Sequence, residues 1–217
     1  MATFGLLRTR IKQKIAQNYL NDAVTDAPES RIGQAINDAV EYYSRMNFWF
    51  NTGYNTSTTL TVSDPLLTVP SDLLYIKDLS VLDGNKTYSI DKISNEEYDA
   101  LDAQATGRPF AYTQIGDAFY LYFYPDRALP VQITYVKSYP AMSGDSDFND
   151  FTTNAPQLIE AHALMELYLD ARHSDSTPST LRASYERKTQ EHLRNIQLVN
   201  RQRTTTGRVA VSSMLIN

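Results

Sequence analysis

One run of twenty residues, 106–125, constrains the fold of this chain more than any other segment. It reads Thr-Gly-Arg-Pro-Phe-Ala-Tyr-Thr-Gln-Ile-Gly-Asp-Ala-Phe-Tyr-Leu-Tyr-Phe-Tyr-Pro. This pattern predicts a helix end at Gly107, a strand, a turn at Gly116-Asp117 and a second strand. Side chains alternate between the two faces of a strand. One face of the second strand therefore carries Phe119, Leu121 and Phe123, and the other carries Tyr120, Tyr122 and Tyr124.

The tyrosine face has two interpretations. Tyrosine is enriched at protein interfaces, so three tyrosines on one face predict a surface that meets a neighbouring subunit, a tail component or an added layer of the fold. The alternative is an ordinary sandwich strand with tyrosines at its rim, because aromatic residues prefer strands. The residues alone leave both open.

Composition excludes several classes of protein. The chain has 217 residues, of which 42% are hydrophobic and 21% charged, as in a folded protein of one domain or a domain with an insertion. It has no cysteine, so disulfides and thiolate metal sites are excluded. We find no apolar run of signal-peptide length and none near the roughly 20 residues that span a bilayer. Secretion and membrane insertion are not expected.

Charge is distributed unevenly along the chain. The net charge is −5, yet the residues after Asp170 carry eight Lys or Arg and three acids. That segment is therefore +5, and residues 1–170 are −10. Affinity for nucleic acid depends on neutralising phosphates, so a chain this acidic is a poor general nucleic-acid binder. The basic end requires a separate explanation.

Helical periodicity marks both ends of the chain. Leu6, Ile11 and Ile15 recur at helical spacing, and a second helix follows a break at 21–28. Pro28 suits the first turn of that helix, which we expect to end near Gly53. Helices return at Asn154, a candidate cap with Pro156 in the first turn, and again at Thr177-Pro178.

The middle of the chain is strand-like. Candidate strands are 58–62, 76–82 and 131–136, with turns at Asp64-Pro65 and Asp83-Gly84-Asn85. One short helix is expected where Ser94 and Glu97 form a capping box.

These patterns predict an α+β fold. A helical bundle is built from N-terminal helices in 1–55 and C-terminal helices in 141–200. An antiparallel β-rich domain with one short helix, 56–140, is inserted between them, and an extended tail occupies 201–217.

The sequence offers few candidate residues for catalysis. His162 and Glu166 are four residues apart on one helix face, which is an ordinary helix pairing and too few ligands for a metal. Asp145, Asp147 and Asp150 lack the glycine and terminal glutamate of a calcium loop. There is no glycine-rich phosphate loop and no nucleophile elbow. We predict no catalytic residue, no cofactor and no metal.

The order of features resembles a known family. Two N-terminal helices ending at Trp49 precede Val69-Pro70-Ser71-Asp72-Leu73-Leu74-Tyr75-Ile76, Gly107-Arg108-Pro109 and the strand 119–125. Val131-Gln132-Ile133-Thr134-Tyr135, the acidic loop 145–150 and the helix from Asn154 follow. This arrangement resembles the head-to-tail adaptor proteins of tailed bacteriophages, including the tail accessory factors of short-tailed phages.

The resemblance implies a structural virion protein at the head–tail interface, made in the host bacterial cytoplasm. It implies a dodecameric ring below the portal protein, joined to a tail or nozzle protein, with a helical domain and an inserted β-rich domain in each copy. DNA would pass through the ring without specific binding, and no membrane is involved. The C-terminal segments of the family commonly reach the portal.

Two functions remain open for the basic C-terminal segment. As a portal-docking arm it would use three arginines and an apolar run, namely Arg201, Arg203, Arg208, Val209, Val211, Met214, Leu215 and Ile216. As a nucleic-acid arm the same arginines would contact phosphates, which is the alternative function of the protein. The apolar run favours docking on a protein. A solvated tail without a role is the third interpretation.

Overall fold

The structure is a computed structural model that describes residues 1–17, 31–101, 105–170 and 177–212, with side chains of the last helix described from Thr180 to Arg203. The chain divides into two compact units. We call Met1–Asn51 with Tyr139–Asn217 the helical unit, and Thr52–Ser138 the β-rich unit.

The helices are α1 (Phe4–Gln17), α2 (Arg31–Ser44), α3 (Asn95–Asp99), α4 (Asp150–Asn154), α5 (Pro156–Asp170) and α6 (Thr177–Ser212). The strands are β1 (Thr52–Asn55), β2 (Leu73–Asp83), β3 (Lys86–Ser89), β4 (Asp91–Lys92), β5 (Thr106–Gly107), β6 (Ala111–Ile115), β7 (Ala118–Tyr122), β8 (Tyr124–Pro125) and β9 (Val131–Lys137).

Helix α5 is the centre of the helical unit. It packs against α1, α2, α4 and α6, and its Leu158, Ile159 and Leu164 are completely buried. Helix α2 contributes one apolar face, because Ile32, Ile36 and other buried residues recur every three or four positions. The core of this unit draws only on residues of the helical unit.

The β-rich unit is built on a four-stranded antiparallel sheet in the order β1-β9-β2-β3. Smaller sheets, β4-β6-β7 and β5-β8, complete it. Alternate residues of neighbouring strands, such as Leu79 and Val81 in β2 and Val131 and Ile133 in β9, enter one core. This core likewise contains residues of the β-rich unit alone.

Several element boundaries differ from the sequence-based expectations. Helix α2 ends at Ser44, and Gly53 lies in β1. The fully buried amide of Asn51 accounts for the early end: it accepts from the N–H of Phe48 and donates to the carbonyls of Ser44 and Met46. A local side chain thus satisfies backbone groups that a longer helix would have paired.

The expected strand 58–62 is reduced to a single bridge between Thr59 and Pro130. Leu60 and Val131 donate their backbone N–H groups across this bridge to the carbonyls of Leu129 and Thr58, but the N–H of Thr58 donates to the side chain of Asn55, so the pairing does not continue there. Gly107 does not end a helix but lies in β5, where it pairs with Pro125.

Boundaries also differ in the C-terminal helices. Asn149, not Asn154, caps the first of them, and Asn154 is the last residue of α4. Pro156 begins α5, as its missing N–H permits. We expected an extended segment from Arg201, whereas α6 continues to Ser212. Arg201, Gln202 and Arg203 are good helix formers, and an established helix gains one hydrogen bond for each further residue, so it can continue through the less favourable run 204–207. The predicted break at 21–28, which includes Pro28, and residues 213–217 lie outside the described residues.

Candidate interaction surfaces

The tyrosine face of β7 is partly closed within its own unit. Phe119 and Leu121 enter the β-rich core on the opposite face, as the alternation predicts. Tyr122, however, is only 7% exposed, and its ring packs edge-on against Tyr98 and Phe110. The hairpin register pairs β6 with β7 around Gly116, whose φ of 61° suits a tight turn.

Tyr120 and Tyr124 differ from Tyr122 in being half-buried. Tyr120 lies beside Tyr98, with ring centroids 6.5 Å apart. Burial raises the pKa of Tyr98, and the neighbouring Tyr124 and Tyr120 raise it further. Two of the three tyrosines therefore keep accessible surface, and an interface role for them stays a prediction.

His162 is part of a buried polar connection between α2 and α5. Its Nδ1 lies 3.0 Å from the hydroxyl oxygen of Tyr43, and its Nε2 lies 3.7 Å from Glu166 Oε1. Burial lowers the pKa of His162, although the carboxylates of Glu166 and Asp38 oppose that shift. Among the described residues, no group of three or more His, Asp and Glu side chains could hold a metal ion.

The acidic loop 145–150 fastens the start of α1. The carboxylate of Asp145 pairs with Arg8 at 2.7 Å, and its carbonyl accepts from the N–H of Gly5. Asp147 accepts two backbone N–H groups, from Ser143 and Gly144, which lower its pKa.

Asp150, the third acid of this loop, accepts from the hydroxyl of Tyr139 at 2.7 Å. Each of the three carboxylates thus has a hydrogen-bond or ion-pair partner within the helical unit.

The distal part of α6 contacts the segment that follows α2. Asn200 donates to the carbonyl of Asn47 at 3.1 Å, and the guanidinium of Arg203 lies over the ring of Trp49. Arg201 and Arg203 are both exposed. No sequence pattern indicated the pairing of Arg203 with Trp49, because 154 positions separate them.

The other residues predicted to dock on the portal are Arg208, Val209, Val211, Met214, Leu215 and Ile216, whose side chains lie outside the described part of the chain. The docking prediction therefore remains open for them.

Comparison with known proteins identifies the family. No helix in the described part of the chain is both long and apolar enough to cross a membrane. No curated protein matches the sequence significantly. The family model for the SU10 adaptor protein matches residues 3–212, which is nearly the whole chain and includes both units. The chain therefore belongs to the SU10 adaptor protein family, a family of phage head-to-tail adaptors.

Proposed function

We propose that this chain is a structural component of the virion whose copies form a ring between the portal and the tail. Family membership supports the adaptor role. The ring, with twelve copies in the stoichiometry that the resemblance implies, lines part of the channel through which DNA leaves the capsid. This is an architectural function and involves no catalysis.

The length of α6 is the observation that carries portal docking. With 36 residues it spans about 54 Å, whereas the 15 residues of its neighbour α5 span about 22 Å. Val209 and Val211 of the predicted docking set lie in its last turns. A helix that extends past its neighbour and carries apolar residues in its final turns suits insertion into a groove of a partner protein.

Charge supports passage of DNA without adhesion. Twelve chains of −5 would give the ring a charge of about −60. A channel of that sign repels phosphates, whereas the basic end of α6 is directed to the portal in this proposal.

Truncation after Arg203 tests the docking role. This variant removes residues 204–217. It keeps Asn200 and Arg203, which contact Asn47 and Trp49. We expect it to lose co-elution with the portal in size-exclusion chromatography with light scattering, while its melting temperature changes little. A matched control replaces the exposed Arg182 and Arg194 of α6 by alanine and should still bind. Undiminished affinity of the truncated chain for the portal contradicts docking by this segment.

Nucleic-acid association is the second candidate, and the charge of +5 after Asp170 favours it. It predicts binding to duplex DNA that weakens steeply with salt, which a gel-shift series measures. Absence of binding at low salt would remove this candidate.

A further inference from the structure

A positively charged cleft lies between α1, α5 and α6 in the helical unit. Its volume is about 570 Å³, and its lining includes Arg10, Lys14, Lys188 and His192. Glu160 of α5 also lines it, is 6% exposed, and pairs with Lys14. None of its lining residues belongs to the predicted docking set or to the tyrosine face.

The cleft keeps an excess of positive charge. Lys14 is paired with Glu160, whereas Arg10 and Lys188 are exposed and form no ion pair with a described carboxylate. Lys188 lies with its Nζ 4.8 Å from the ring centroid of Tyr185, a buried side chain stacked on Tyr168. Leaving His192 out of the count, the lining therefore carries two more positive charges than negative ones. A concave site of one sign attracts groups of the opposite sign, so carboxylates suit it.

Helix α3 of the β-rich unit presents carboxylates of this kind. It has no buried residue, and its Glu96 and Asp99 are exposed three positions apart, on one face. The capping box of Ser94 and Glu97 fixes the helix, since the Ser94 N–H donates to the Glu97 carboxylate at 2.8 Å.

The two units differ in net charge. Residues 52–138 carry six Lys or Arg against eleven acids, a net charge of −5, and the remaining residues are neutral overall. Attraction between copies therefore favours contacts between the acidic unit of one chain and the cationic cleft of the next.

Closed rings need two different complementary patches on each copy. We propose that the cleft of one copy receives the Glu96 and Asp99 carboxylates of α3 from the neighbouring copy, and that this contact helps to close the ring. A volume of about 570 Å³ admits several side chains rather than a whole helix. The two carboxylates therefore enter the cleft, while the backbone of α3 stays at its entrance. The inference rests on the proposed ring function and names the surfaces that build the ring.

Charge reversal tests the pairing. A cleft variant carries Arg10→Glu and Lys188→Glu, and an α3 variant carries Glu96→Lys and Asp99→Lys. Each alone should weaken assembly by about tenfold or more, since like charges then face each other. The chain carrying all four substitutions should assemble as the wild type does. Arg182→Glu with Arg194→Glu is the matched control on α6 and should leave assembly unchanged.

Mixing gives the most direct result. Within each variant, the cleft and α3 carry charges of the same sign, so two copies of one variant repel each other. The cleft of one variant and the α3 of the other carry opposite charges. An equimolar mixture should therefore form alternating rings that mass photometry detects, whereas each variant alone stays dissociated. Melting curves of both verify folding. If the cleft variant does not fold, Arg10→Gln with Lys188→Gln replaces it, with a smaller expected loss.

The outcomes separate this inference from the ring function. If wild-type chains assemble and both reversed variants assemble equally well, the pairing is overturned while the ring function stands. The same conclusion holds if folded variants fail to assemble but neither their mixture nor the fourfold variant recovers. If the wild type forms no ring, alone or on the portal, the proposed function is wrong and the pairing with it.

Discussion

The guanidinium carbon of Arg203 lies 3.7 Å from the centroid of the Trp49 ring. One turn earlier on α6, Asn200 donates to the carbonyl of Asn47. These two contacts join the distal part of α6 to the segment between α2 and β1. They fix the direction in which α6 continues toward Arg208 and the later residues with the predicted docking role. Arg203 itself belongs to that predicted set.

Trp49 makes this contact measurable, because it is the only tryptophan in the sequence. Arg203→Ala should uncover the ring, increase acrylamide quenching of its fluorescence and cost about 0.5–1 kcal/mol of unfolding free energy. Arg194→Ala, an exposed arginine elsewhere on α6, is the control. Equal quenching in wild type and Arg203→Ala would contradict the contact.

Gly53 allows the close approach of β1 to a tyrosine of β9. It lies opposite Tyr135, and an added Cβ would clash with that ring. The Tyr135 hydroxyl donates to Asp72, and burial with this bond raises the pKa of Tyr135 to about 12. Gly53→Ala should cost about 1–3 kcal/mol in urea unfolding. Thr52→Ala is the neighbouring control.

A second substitution checks the reason for that cost. Tyr135→Leu removes the ring, so Gly53→Ala should cost less in that background than in the wild type. Additive effects of the two substitutions would show that the ring is not the cause.

The depressed pKa of His162 predicts loss of stability in acid. His162 binds a proton near pH 6.5 in the unfolded chain but only at lower pH in the folded chain. The stability that the neutral imidazole contributes is therefore fully present above pH 6.5 and is lost as the pH falls through the folded-state pKa. The slope contributed by one such group is at most about 1.4 kcal/mol per pH unit. His162→Asn keeps an acceptor for Tyr43 and should flatten the profile between pH 7 and 5. Identical slopes in the wild type and in the variant would refute the assignment.

The tyrosines of β7 and β8 should separate into two classes. Tyr122→Ser removes a buried ring and should cost about 3–5 kcal/mol. Tyr120→Ser with Tyr124→Ser removes half-buried rings, so we expect about 1–2 kcal/mol and impaired assembly with partners. Thermal unfolding and light scattering measure the two effects. Normal assembly of the double variant would exclude an interface role for both residues.

Local chemistry explains which elements were predictable from the sequence. The capping box of Ser94 and Glu97 is confirmed, because both hydrogen bonds are made within four residues. The strand 131–136 corresponds to β9, and the turn at Gly116-Asp117 joins β6 and β7. In each case the signal and the structure it determines occupy the same few residues.

The end of α2 was not predictable, because the apolar residues near Phe48 and Phe50 continue a helical pattern, yet the nearby side chain of Asn51 closes a loop there. Elements decided by distant partners were not predictable from local signals either. The alternation of side chains places Tyr122 on the outward face of the strand, but Tyr98 and Phe110 cover its ring. The charged cleft combines residues of three helices, and no spacing rule connects Arg10 with Lys188 across 178 positions. The docking role of Arg201, of Arg203 and of the residues after them remains a prediction.

The pairing of β1 with β9 has a consequence for how such a protein can change over evolution. Thr52 lies opposite Val136, so the β-rich unit leaves and re-enters the helical unit through two adjacent strands whose Cα atoms are about 5 Å apart. Its core shares no residue with the core of the helical unit. A replacement module whose two ends lie close together can therefore join the chain at residues 52 and 138, and the core of the helical unit would keep every one of its own residues.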